Sequence, residues 1–226
     1  MTAGQVTGKD VPQKELRGGR TSSKERVDLE EAYLQMARTL ALAVEAREPH
    51  AHGHSERVAL LATEIAIELD CPRELTREIQ IAARLHDIGK IAIPDHVLFK
   101  PGRLTPAEFS EIKRHPTVAV EILRCLDHFH DIIPLIESHH EWYSGEGYPN
   151  KLKGEEIPLG ARILAVADAY DAMTCPRPYR RRLSNEETAQ VLRDEAGRQW
   201  DAGVVDAVLR VLERESKMLQ ALLVET

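Results

Sequence analysis

Ile79-Gln80-Ile81-Ala82-Ala83-Arg84-Leu85-His86-Asp87-Ile88-Gly89-Lys90 is the stretch on which the fold turns. Its first seven residues are apolar at helical spacing and contain nothing that breaks a helix. The spacing predicts one helix carrying His86 and Asp87 near its C-terminal end, as neighbours about 100° apart. Adjacent helical positions do not face the same way. A His-Asp pair that shares a site therefore does so across a metal centre, where the imidazole holds one ion and the carboxylate can bridge two. Lys90, one turn on, reaches the same pocket with a positive charge. The dipeptide alone equally fits a solvated surface pair or a histidine capped by its neighbour, so the rest of the chain must decide.

Outward from this stretch, helical periodicity recurs. Leu29, Tyr33, Met36, Leu40 and Val44 form an apolar stripe that predicts an amphipathic helix over 28–47. Pro49 to Ser55 breaks it. Val58, Leu61, Ala62, Ile65 and Leu69 mark the next helix, with Ser55 as its expected N-cap and Cys71-Pro72 as its end. After Lys90 the segment 91–104, with Pro94, Pro101 and Gly102, reads as irregular. Thr105-Pro106-Ala107-Glu108 is a capping box with proline at the first helical position. Pro116 ends that helix near His115 and restarts another through Leu126. Helices follow over 132–141, 161–173, 185–196 and 202–223, with Ser184 and Glu187 as a second capping box. No alternating strand pattern or internal repeat is visible. The expectation is an all-α fold, a single helical bundle over 27–226 preceded by a polar, flexible tail over 1–26.

Composition supports a helical core. Of 226 residues, 42% are hydrophobic but only 4% aromatic, so aliphatic and alanine packing has to build it. The formal net charge of −7 argues against a track for duplex nucleic acid. Cys71, Cys125 and Cys175 are too few and too scattered for a disulfide framework, which suits a reducing compartment. No apolar run of about 18 residues is present, nor a secretory leader. The expected location is the cytoplasm.

The residues a divalent metal would use are His54, His86, Asp87, His115, His139, His140 and Asp168. Asp168 carries the most physical weight, because Leu164-Ala165-Val166-Ala167-Asp168-Ala169 is apolar and a buried carboxylate is costly unless paired or metal-bound. Each histidine taken singly has a bland reading, as an N-cap or a solvated helix end. Five imidazoles and two carboxylates at helix ends or on apolar faces are harder to dismiss together. Mixed nitrogen and oxygen donors suit iron, manganese or zinc, and seven ligands exceed one tetrahedral site and fit two ions. Two metals about 3.5–4 Å apart can activate a nucleophile and steady both oxygens of an in-line phosphoryl displacement. Phosphoester hydrolysis is the chemistry this points to.

The order of motifs resembles the HD-GYP family. It runs through His54-Ser55-Glu56-Arg57-Val58, His86-Asp87-Ile88-Gly89-Lys90, Lys113-Arg114-His115-Pro116, His139-His140-Glu141, Gly147-Tyr148-Pro149, Asp168-Ala169-Tyr170-Asp171 and Arg177-Pro178-Tyr179-Arg180. That family is an all-helical group of HD-domain phosphohydrolases, and its activity is hydrolysis of the second messenger cyclic di-GMP to linear pGpG or to GMP. The resemblance implies that the seven residues above are metal ligands, with Asp87 bridging two divalent ions (iron or manganese first, zinc admitted). It implies that Lys90 contacts the scissile phosphate and that Arg177 and Arg180 hold phosphate or guanine, for which planar guanidinium forks are suited. Asp87 and Lys90 are then the catalytic pair. Gly145, Gly147, Tyr148 and Pro149 match the signature loop, which in the family binds partner proteins. The expected partners are cyclic di-GMP, a regulatory protein at this loop and a second copy of the chain, with no membrane. The competing reading is a cyclic-dinucleotide-binding or protein-interaction module with little turnover, or a hydrolase of another cyclic nucleotide.

Two positions depart from the family. Ser144 replaces the usual Asp before the first glycine of the loop, removing a charge that bears on loop order or partner choice. His50 stands where some members use a glutamate to hold a third ion, so a third ion here would draw on His50.

Overall fold

Alanine sets how closely the central helices approach. In the computed structural model, which describes residues 23–48, 52–175 and 181–224, α1 spans Ser23–Glu45, α2 His54–Glu68 and α3 Arg73–Leu85. A short 3-10 turn, Ile88–Ala92, leads to α4 Asp95–Leu98, α5 Pro106–Ile112 and α6 His115–Leu123. After a second 3-10 turn at Asp127–Ile132 come α7 Ile133–Glu137, α8 Leu159–Thr174, α9 Asn185–Asp194 and α10 Ala202–Val224. Among the described residues there is no strand, only an isolated bridge between Ala196 and Trp200. The architecture is the expected all-α bundle.

α2, α3 and α8 pack against one another, with α10 over α2 and α8, and α1 against α3. The shared core is small and aliphatic: Ala59, Ala62 and Ala66 from α2, Ala82 and Ala83 from α3, and Ala161 and Ala167 from α8 are all fully buried. Ile65, Ile79, Leu85, Ile163 and Leu164 fill the space between them, also fully buried. Burial of one such aliphatic side chain contributes about 1.5–3 kcal/mol. Both capping boxes form as expected: Thr105 accepts from the Glu108 backbone N–H and Ser184 from that of Glu187.

Several boundaries differ from expectation, each for a local reason. Residues 23–26 belong to α1 rather than to a tail, since Ser-Lys-Glu-Arg is polar yet helix-compatible; residues 1–22 lie outside the described residues. Ser55 is not the N-cap of α2. Gly53 is, in a left-handed conformation (φ 73°). Glu45 of α1 supplies the missing acceptor, taking the backbone N–H groups of Gly53 at 2.8 Å and Ser55 at 2.7 Å. The segment 91–104 is not irregular throughout, because it takes in the end of the 3-10 turn and all of α4. α6 stops at Leu123, short of Leu126. The segment expected as one helix over 132–141 is the five-residue α7, Ile133–Glu137, followed by a turn that carries His139 and His140.

Gly89 is required by contact. A Cβ there would lie 1.9 Å from the His115 carbonyl oxygen and 2.7 Å from the Ala119 nitrogen, so the 3-10 turn and α6 meet backbone to backbone. Gly89→Ala is expected to cost about 1–3 kcal/mol or more, read as a lower urea midpoint. A midpoint equal to that of the wild type would mean the two backbones are not in contact.

Candidate metal centre

Five helix ends converge on one pocket, and the backbone there explains why the histidines point into it. α3 ends at Leu85, so His86 is its C-cap and Asp87 lies just beyond, rather than both lying within the helix as the periodicity suggested. The last turn of a helix has carbonyls without intrahelical donors. His86 Nδ1 donates to the Ala83 carbonyl at 2.7 Å. His115 Nδ1 does the same to Ile112 at 2.8 Å, and His139 Nδ1 to Ile136 at 2.6 Å. His54, at the start of α2, instead donates from Nδ1 to Asp171 Oδ2 at 2.7 Å. In each of the four the second nitrogen, Nε2, is directed inward, and those of His115 and His139 lie 3.4 Å apart.

The inward atoms form two groups. Ligand atoms of His54, His86 and Asp87 lie within 4.8 Å of one another, and so do those of His115, His139 and His140. Asp87 stands between them: Oδ2 is 3.7 Å from His54 Nε2 and 3.5 Å from His86 Nε2, while Oδ1 is 3.5 Å from His115 Nε2. Asp168 Oδ1 is 3.4 Å from His54 Nε2 and 4.0 Å from His86 Nε2. Lys90 Nζ donates to Asp87 Oδ2 at 2.6 Å. All seven expected ligands are thus brought to one place. His50, Arg177 and Arg180 lie outside the described residues. Arg181 is exposed and pairs with Glu187, as a solvated basic turn would.

The donors suit a metal. His86 Nε2 is buried without a hydrogen-bond partner, an arrangement that costs free energy unless the lone pair is used. Burial pushes the His139 imidazolium well below the usual histidine range, and neighbouring histidines add to this. Burial likewise lowers His115, and His140 to about 3. Neutral imidazoles are what a metal needs. Burial opposes ionisation of Asp87, but Lys90 and the surrounding histidines overrule it and hold the carboxyl well below the ordinary value. The same contest lowers Asp168, mainly through His86 and His54.

The signature loop folds onto the second group. Tyr148 donates its backbone N–H to the His140 carbonyl at 3.2 Å, and its ring lies 4.9 Å from that of His140. A Cβ on Gly147 would sit 2.2 Å from the Trp142 nitrogen, so only glycine allows this approach. Gly145 adopts φ 89°. Buried Glu141 accepts the Asn150 N–H at 2.6 Å just after Pro149. Ser144 donates its hydroxyl to Glu146 at 3.1 Å and its N–H to the Arg198 carbonyl at 2.8 Å, so the residue that departs from the family still orders the loop.

Sequence reasoning missed the supporting residues. Asp171 receives His54 Nδ1, Arg57 Nε at 2.6 Å and Arg57 Nη2 at 3.1 Å. Its place three residues after Asp168 on α8, and that of Arg57 three after His54 on α2, was the available signal. Glu45, Arg47 and Glu48 gave none, since their partners are remote in the chain or set by tertiary packing.

A family model described as an HD domain matches residues 38–204. The chain is 43% identical over 185 residues to the cyclic di-GMP phosphodiesterase response regulator RpfG of Xanthomonas campestris pv. campestris, covering 81% of this chain and 49% of that protein. It is 38% identical over 203 residues to a cyclic di-GMP phosphodiesterase of Thermotoga maritima, covering 87% and 54%. The chain therefore spans about half the length of these curated relatives. Among solved structures, the cyclic GMP-AMP specific phosphodiesterase V-cGAP3 of V. cholerae shares the fold with TM-score 0.65 at 20% identity, over 80% of this chain and 49% of that one. Among the described residues no helix is long and apolar enough to cross a membrane.

Two outcomes follow from the geometry. Asp171→Asn removes the carboxylate behind His54 and is expected to weaken metal affinity about 10–100-fold, measured by competition with a chromogenic chelator; unchanged affinity would deny Asp171 that role. The second concerns acid. His115, His139 and His140 have folded pKa values below the ordinary 6.5, so the unfolded chain binds protons that the folded chain refuses. Their stabilisation is complete above 6.5 and is lost as pH falls, towards about 3 for His140. His54 is raised, because Asp171 and the nearby carboxylates outweigh burial, and it acts in the opposite sense, its contribution disappearing as pH rises. With three groups against one, the urea midpoint of chelator-treated protein should drop between pH 7 and pH 5. A flat or rising midpoint would contradict this charge assignment.

Proposed function

Since the chain belongs to the HD domain family, we propose that it is a metal-dependent phosphodiesterase acting on a cyclic dinucleotide, cyclic di-GMP first among them. The observation that carries this is the position of Asp87, whose two oxygens face two separate histidine groups. A carboxylate so placed suits two ions side by side, and the names of the relatives supply the substrate class. In this reading His54, His86, Asp87 and Asp168 hold one ion, and Asp87, His115, His139 and His140 the other. The donor set favours iron or manganese and admits zinc. Bound there, two divalent ions would supply Lewis-acid activation of water and stabilisation of charge on phosphorus.

The chain's own residues do the rest. Asp171 and the three backbone carbonyls fix the ring orientations, so no reorganisation is needed when ligand arrives. The Lys90 ammonium, held at Asp87, would stabilise the negative charge that grows on the phosphoryl oxygens. Water adds to phosphorus, the bond to the ribose 3′-oxygen breaks, and linear pGpG forms; a second hydrolysis gives GMP. His50 as ligand to a third ion, and Arg177 and Arg180 as holders of phosphate or guanine, stay in this reading on their motif positions. Residues 27–226 form the hydrolase domain, working in the cytoplasm. A regulatory protein at the signature loop and self-association belong to the same proposal.

The test pairs metal content with turnover of cyclic di-GMP for protein purified without oxygen. Wild type should carry two iron or manganese ions per chain and open the ring. Asp87→Ala should lose bound metal and slow turnover on the order of 1,000-fold. Full metal occupancy without turnover of any cyclic dinucleotide would sink the hydrolase, and retained activity in Asp87→Ala would sink its site.

A further inference from the structure

We propose that Arg47 and Glu45, at the end of α1 and outside the metal centre, are positioning residues that set the Lys90 turn and the His54 helix start against each other. The kinetic half of this proposal rests on the hydrolase reading; the structural half does not.

Arg47 lies two residues beyond α1. Its Nη1 donates to the carbonyls of Lys90 at 3.1 Å and Ile91 at 2.9 Å. Its Nη2 donates to the Ile93 carbonyl at 3.2 Å and to Asp95 Oδ1 at 2.7 Å. The Lys90 carbonyl already takes the Ile93 N–H at 3.0 Å, which closes the 3-10 turn Ile88–Ala92, whereas the Ile91 and Ile93 carbonyls stand at and beyond the end of that turn, where no further intrahelical donor follows. One guanidinium takes them together with the carboxylate that opens α4. The acceptors are more than 40 residues away in sequence, so this is a tertiary clamp rather than a local turn preference. It fixes the backbone from which the Lys90 ammonium reaches Asp87.

Two residues earlier, Glu45 faces the other half of the same floor. It is buried, and its two oxygens take the N–H groups on either side of His54, those of Gly53 and Ser55. Glu48, on the same segment, stands 3.8 Å from Lys90 Nζ. One end of one helix thus specifies where the first histidine and the site lysine stand relative to each other. A guanidinium fork that spans three carbonyls and a carboxylate has no lysine equivalent, since an ammonium is a compact point donor.

A purely structural role predicts a loss of stability and nothing else, so the experiment reads more than stability. Arg47→Gln and Arg47→Lys are compared with wild type for amide hydrogen exchange over residues 88–93, bound metal, and the separate values of kcat and KM for cyclic di-GMP. The expected result is faster exchange over 88–93 with α2 and α8 still protected, and unchanged metal content. Turnover should fall about 10–100-fold at nearly constant KM, as a displaced catalytic group costs, and lysine should not rescue it. Glu45→Gln leaves one acceptor where two are needed, and should weaken metal affinity about tenfold in chelator competition with overall folding intact. Exchange over 88–93 like that of wild type, rescue by lysine, or unchanged metal affinity in Glu45→Gln would each overturn the corresponding part. If wild type itself turns over no cyclic dinucleotide, the hydrolase reading fails while the exchange and metal measurements still decide the positioning roles.

Discussion

Three of the histidines at the centre depend on one backbone constraint, the unsatisfied carbonyls at the end of a helix. His86, His115 and His139 each donate Nδ1–H to the carbonyl three residues back, in the last turn of α3, α5 and α7. One bond does two things. It satisfies a carbonyl that would otherwise need water, and it fixes the tautomer so that Nε2 carries the lone pair. Burial then keeps the ring neutral, as for His139. The brevity of α5 and α7 has a purpose in this light, because each helix is long enough to aim a carbonyl and ends where the imidazole is needed.

Convergence of helix ends requires backbone to approach backbone, and the bundle achieves this with residues that have little or no side chain. Gly89 seats the 3-10 turn on α6 beside His115, and Gly147 seats the signature loop on Glu141 and Trp142 beside His140. Gly160 lets α8 close instead on side chains, where an added Cβ would meet that of Leu135 at 2.6 Å. The alanines of α2, α3 and α8 extend the principle through the core. A chain with so few aromatic residues reaches a dry interior by close approach, and the histidine rings occupy the gap that remains where the helices end.

The sequence made the elements legible because helices are local: stripes at three- and four-residue spacing, two capping boxes and the prolines placed nearly all of them. It also made the seven inward side chains legible, through residue type and motif order. What it hid was non-local. Ser55 has the chemistry of an N-cap, yet Gly53 holds that position because Glu45 delivers a carboxylate from another helix. His86 and Asp87 look helical by periodicity, yet the helix stops at Leu85, because turning the chain there lets Asp87 face both histidine groups. Asp171 sat in view on the same face as Asp168, but its partners His54 and Arg57 lie more than 110 residues away.

The charge distribution of the centre gives the bound ions a further consequence in the proposed function. Four carboxylates, Asp87, Asp168, Asp171 and Glu48, stand with two permanent cations, Lys90 and Arg57, and the buried imidazoles of the second group are neutral. Without metal these carboxylates outnumber Lys90, Arg57 and the His54 imidazole, whose pKa is raised against burial by Asp171 and the nearby carboxylates, so the pocket would repel a cyclic dinucleotide with two phosphodiesters. Two divalent ions would invert that balance, since bound cations are the largest local charges in such a site. In the proposed function metal loading would therefore govern substrate binding as well as the chemical step. The net charge of −7 on the whole chain is no obstacle to an anionic ligand, because at contact distance the local field outweighs distant, solvent-screened charge.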